Sequence, residues 1–229
     1  MEAQNGPWCK AIEDHPGGGP WPRNASHGRR KLDLRAVNIA PLKTLLVAGC
    51  LAVAATASAC GDEEPVTFAP SEGTYVDVGT AAYQVQISRT LNPKAPEDRS
   101  YLVGLPAGVD PDKLKPDEQW FAVFLRAQNY GESAQTLAKE FRVVDTAGES
   151  WKPQKLAEVN QFRWNPTEDL VPDYTYPDPS SIAGTGPVRQ GALLLFKLNN
   201  SIYQNRPLVL EIIDPSSSKK VAARISLDL

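Results

Sequence analysis

The chain has 229 residues, 41% of them hydrophobic, and a formal net charge of −3. That length supports a sizeable core, and the mildly acidic balance argues against a nucleic-acid partner, whose phosphates need a basic surface. With only three Cys and two His, thiol and imidazole chemistry are sparsely equipped from the start.

Residues 1–43 show no helical or strand period. Pro7, Pro16, the Gly17–Gly19 run, Pro20 and Pro22 interrupt any regular element, so a disordered leader is expected here. A translation start further downstream, near Leu34 or Val37, accounts for the segment equally well. Thr44–Ala59 then runs without a charge, with Lys43 just before it. It is shorter than the roughly 20 apolar residues that span a bilayer. Its length and small-residue end suit the hydrophobic core of a signal peptide, expected as a helix.

Ala57-Ser58-Ala59-Cys60-Gly61 resembles the lipobox of bacterial lipoproteins. The resemblance implies a diacylglyceryl group on the Cys60 sulfur and cleavage between Ala59 and Cys60. Ala57 departs from the Leu common at that position. Val47-Ala48-Gly49-Cys50 matches the motif better, but it would leave only Thr44–Gly49 as apolar core. Cys60 is therefore the preferred site, and the expected location is the outer face of the cell membrane, lipid-anchored.

Cleavage at Cys60 leaves 170 residues with 17 Lys/Arg and 23 Asp/Glu, a net charge of −6. Acyl chains rather than electrostatics would hold such a domain at the membrane. Cleavage also removes His15, His27, Met1, Cys9 and Cys50. The remainder has no His and no free thiol. This excludes His general-base catalysis, Cys nucleophiles and soft-metal sites, and no cofactor is expected.

Residues 60–73 read as a polar tether, and the folded domain is expected over 74–229. Thr74–Val78 and Ala82–Thr90 alternate with period two, placing Tyr83, Val85 and Ile87 on one face. Tyr101–Val103 is a short apolar piece between loops. Gln119–Asn129 is the strongest strand, apolar on both faces over Trp120–Leu125. Phe141–Val144 follows, then a hairpin-type turn at Asp145–Gly148, and Trp151 resumes the chain. Lys152–Pro187 is irregular and proline-rich. Gly191–Leu198, Pro207–Ile213 and Lys220–Leu227 supply three more strands. Seven or eight strands with turn punctuation predict an all-β, two-sheet β-sandwich.

Trp120–Gly148 has a central strand ending in Asn129-x-Gly131, then a strand ending in an Asp145-x-x-Gly148 turn. Gly186–Gly191 later runs into Ala192–Leu198. This pattern is similar to the telokin-like, immunoglobulin-like domain of unknown function found in Gram-positive lipoproteins and secreted antigens. The resemblance implies a β-sandwich over about Thr74–Leu229 and carries no reaction or catalytic residues.

Phe162, Trp164, Tyr174 and Tyr176 in the irregular segment are candidate contacts for a glycan or an envelope protein. The same rings could instead fold back and cap an open end of the sandwich. Asp110, Asp112, Asp117, Glu118, Asp169, Asp173 and Asp178 offer hard oxygen ligands, but their spacing does not match an EF-hand, and no metal is expected. A carboxylate-based hydrolase is the weakest reading, because no pair of acids is singled out. The expected function is a non-enzymatic, membrane-tethered binding module. The alternative is a structural accessory of an envelope complex that pairs through a sheet edge.

Overall fold

The structure is a computed structural model that describes residues 64–185 and 191–227. The leader, the Thr44–Ala59 run and Cys60 lie outside the described residues.

Ten strands among the described residues form two sheets. One runs, in spatial order, β1 (Phe68–Ala69), β10 (Val221–Leu227), β9 (Leu208–Ile213), β5 (Phe141–Val144) and β6 (Ser150–Trp151). The other runs β2 (Tyr75–Val78), β3 (Ala81–Leu91) and β4 (Glu118–Asn129). Along the far edge of β4 lie β8 (Ala192–Asn199), opposite Glu118–Leu125, and β7 (Thr175–Tyr176), opposite Ala127 and Gln128. All pairings are antiparallel except β1 with β10. The fold is the expected immunoglobulin-like β-sandwich. The strands beyond the expected number are two residues long, too short for a period to show in sequence.

The two-faced hydrophobicity of β4 has a direct cause: each face has its own core. Phe121, Val123, Leu125 and Ala127 point between the sheets, where they meet Leu194, Phe196 and Leu198 of β8 and Leu208, Leu210 and Ile212 of β9. Trp120, Ala122 and Phe124 point outward with Leu193 and Leu195. A layer built from α1 (Pro96–Arg99), a 3-10 turn (Ser100–Leu102) and the loop to Asp117 covers them. The apolar piece expected at Tyr101–Val103 is this turn, with Leu102 buried against the sheet. The Trp120 indole N–H donates to Pro111 O at 3.0 Å and pins the layer. Burying a side chain the size of Phe124 or Leu195 contributes about 1.5–3 kcal/mol.

Strand β3 corrects one expectation. Tyr83 and Val85 face the inner core, but Ile87 joins the outer one. The register jumps between Val85↔Leu125 and Ile87↔Phe124, so Gln86 is an extra residue. Such a bulge reverses the alternation beyond it, which carries Ile87 and Leu91 to the outer face.

The fold also begins earlier than expected, within the segment read as a tether. Val66 O accepts from Asp77 N–H at 2.7 Å in one sheet, and Thr67 O accepts from Arg224 N–H at 2.9 Å in the other. Phe68–Ala69 then pairs with β10. Residues 66–69 thus stitch the two sheets together, and Ala69 is fully buried. They also cover part of the β2 edge, while the outer edge of β8 is covered by residues 152–164. Covered edges and two-residue edge strands limit pairing with another chain.

Candidate functional site

Two buried asparagines each hold a set of loops in place. Asn129 Nδ2 donates to Ser133 O at 2.8 Å and Leu170 O at 2.7 Å. Its Oδ1 accepts from Thr80 Oγ1 and the Gly131 N–H, both at 2.9 Å. Asn160 Nδ2 donates to Tyr101 O and Val103 O, and its Oδ1 accepts from Phe162 N–H. Buried polar groups satisfied in this way hold loop backbones as firmly as strands. The Asn-x-Gly and Asp-x-x-Gly signatures are therefore fold-encoding: Asp145 Oδ1 accepts from Glu149 N–H at 2.8 Å, and Gly148 sits at φ +83° as the turn requires.

The four aromatic candidates separate. The half-buried Trp164 indole packs against the inner core. Its ring lies 4.9 Å from Tyr176, 5.5 Å from Phe141 and 6.0 Å from Tyr83, and its N–H donates to Ala138 O at 2.8 Å. Tyr176 packs beside it, with its hydroxyl accepting from Asn165 N–H at 3.0 Å. Burial raises the Tyr176 phenol pKa, against the lowering effect of that amide and of Arg163. Burial also pushes the Tyr83 phenol up, although it accepts from Ala138 N–H. Phe162 belongs to the outer core, 4.8 Å from Tyr101. Tyr174 alone is well exposed, at 62%. The structure thus brings Trp164 and Tyr176 together, places Phe162 in the outer core, and leaves Tyr174 apart on the surface.

The acidic candidates are also dispersed. Asp110 pairs with Lys113, Glu118 with Lys115 and Lys197, and Asp178 with Ser180. Among the described residues, no group of three or more His, Cys, Asp or Glu gathers as a metal ion would need. Ser216–Lys219 has S-x-x-K spacing, but it sits on an exposed turn where the Ser216 hydroxyl bonds Asp214 at 2.6 Å.

The feature missed in sequence is a cleft of about 630 Å³ at the side of the sandwich. Its origin lies in one residue type. Strand β6 pairs only with Val143 and Val144. Continuing that register would set Pro153 opposite Phe141, and Pro has no N–H to extend the ladder. The chain leaves the first sheet there, and Gln154 N–H donates to Leu195 O at 2.7 Å on the second. Residues 152–165 then run as a strap along β8. Leu193 N–H donates to Phe162 O at 2.6 Å, and Trp164 N–H donates to Leu193 O at 2.9 Å. The start of β5 forms the opposite wall, and Leu193, Leu194 and Trp164 also line the space. Lys139 and Arg142 lie on the β5 wall; Lys152, Lys155 and Arg163 lie on the strap. Glu140 is the single acid among the lining residues. The volume falls within the usual range for small-ligand sites. Sequence spacing could not reveal it, because 139–142, 152–155 and 163 form no local motif.

No protein family model matches the chain, and no curated protein matches it. Several solved structures are similar to part of the chain. YjhA of Bacillus subtilis is 14% identical, with a TM-score of 0.42 over 69% of this chain and 99% of its own. A β-sandwich protein of Clostridium difficile is 10% identical, with a TM-score of 0.39 over 73% of this chain and 96% of its own. YcdA of Bacillus subtilis, a lipoprotein candidate, is 11% identical with a TM-score of 0.41. That match covers 68% of this chain but only 38% of YcdA. Among the described residues, no helix is long and apolar enough to cross a membrane.

Proposed function

We propose that this chain is a lipid-anchored, extracytoplasmic, non-enzymatic binding module. It is held through a diacylglyceryl group on Cys60 and takes its ligand in the cleft between β5 and the strap. The observation that carries this reading is the cleft itself, an open-sided cavity of about 630 Å³ walled by two backbone segments fixed to different sheets. Glu140 is the only carboxylate among its lining residues, and no His or Cys joins it, so the lining offers donors for holding a ligand rather than an acid–base pair. The lipobox-like Ala57–Gly61 and the telokin-like pattern of Trp120–Gly148 support the location. From Cys60 to Val66 the chain reaches at most roughly 20 Å, so the domain would lie close to the membrane.

Mass spectrometry of the membrane fraction tests the anchor. The expected product begins at Cys60 and carries the lipid mass, and Cys60→Ala releases the protein from the membrane. An unmodified Cys60 peptide from membrane-associated protein sinks the reading.

A further inference from the structure

We infer that the cleft between β5 and the strap binds a multivalent anion, a ligand with two or more phosphate or carboxylate groups. The inference rests on the proposal that this cleft is the ligand site.

The cleft inverts the charge of its domain. From Cys60 onward the chain carries a net charge of −6, yet the cleft gathers five cations against one acid. Among the described residues, Lys139, Lys152 and Lys155 have no ion-pair or hydrogen-bond partner for their ammonium groups. All three are exposed and hydrated, and acids are plentiful elsewhere, so five cations around one concavity set this surface apart from the rest of the acidic domain. A concave wall also focuses the field of its charges on whatever enters.

The two arginines are held in place and only partly neutralised. Arg163 Nη1 donates to Glu158 O at 2.8 Å, a neutral partner. The Glu158 carboxylate stands 3.7 Å from Nη2 and is 96% exposed, where an ion pair is strongly screened. Arg142 bonds Glu211, but the same carboxylate also takes Arg224 Nε at 2.9 Å. Two guanidinium groups share one negative charge, which leaves an excess of positive charge at the cleft wall. Such preformed guanidinium geometry suits phosphate and carboxylate oxygens.

Valency follows from the layout. Cations stand on both walls, so a ligand with one charged group would satisfy one wall and leave the other unpaired. Stacking is not the main tool here, because the Trp164 ring is already packed by Tyr176, Phe141 and Tyr83. A neutral sugar would leave these cations without a counter-charge.

The test is calorimetric titration of the full chain, purified in neutral detergent at low ionic strength. The probes are tripolyphosphate, tetragalacturonate and neutral maltotetraose. The variants are Lys139→Ala on one wall, Lys152→Ala/Lys155→Ala on the other, and Lys94→Ala as an exposed control outside the cleft. At least one anion is expected to bind, and to weaken as salt rises. Each wall variant should lower its affinity about tenfold, the scale of a lost charge-assisted contact, while Lys94→Ala leaves it unchanged. The two anion probes separate a phosphate ligand from a carboxylate one. Silence from both anions overturns the inference, as does binding that either wall variant leaves unchanged. Binding of maltotetraose alone overturns it too, while leaving the cleft a ligand site.

Discussion

Trp164 shows how a residue that reads as a contact in sequence becomes a keystone in space. Its ring meets three aromatic neighbours and its N–H reaches Ala138 O. Trp164→Ala should lower unfolding free energy by about 3 kcal/mol, read as a lower urea midpoint. An unchanged midpoint would contradict its packing role. Glu211 makes a different residue-scale prediction. Burial raises its pKa, but bonds from Arg142 and Arg224 on the flanking strands outweigh this and leave it lowered. A carboxyl with a lowered folded pKa stabilises above its unfolded pKa, and loses that contribution as pH falls through the folded value. Glu211→Gln should therefore cost up to about 1 kcal/mol at neutral pH, as cross-strand charge pairs do. The gap to the parent protein should close in acid, below the usual carboxylate range. Urea melts at the two pH values check the sign, and a gap that widens in acid would refute it.

At the level of elements, departures from regular pairing shape the molecule more than its long ladders do. The Gln86 bulge re-aims half of β3, and Pro153 ends β6 and so opens the cleft. Gly191 is the third such point. It precedes β8 at φ +72°, and a Cβ there would lie 2.6 Å from Leu125 O. That close approach lets β7 and β8 share one edge of β4. Gly191→Ala combines backbone strain with a clash against main chain, so a loss of about 2–4 kcal/mol is expected. A thermal melt within a degree or two of the parent would show that the junction can relax.

At the scale of the whole molecule, the sandwich is three layers, with an outer core behind the second sheet. The outer layer rests on fewer strands, so it should open before the inner core does. Phe162→Ala removes a ring that bridges the strap to Tyr101. Amide exchange should then speed up across 100–117 while β9 and β10 keep their protection. Uniform loss of protection would mean that both cores melt as one unit.

Alternation and turn chemistry made most strands legible, including β4 and both signature turns, because these depend on neighbours a few residues apart. Sequence by itself also determined the absence of His and free Cys after Cys60, which narrows the available chemistry wherever the chain folds. Only the tertiary structure decided which face Ile87 takes, where the aromatic rings go, and that five cations meet at one cleft. These outcomes follow from pairings across tens of residues: a bulge read against β4, and a strap crossing from one sheet to the other. Local pattern fixes which residues can be buried, and long-range register fixes which of them meet.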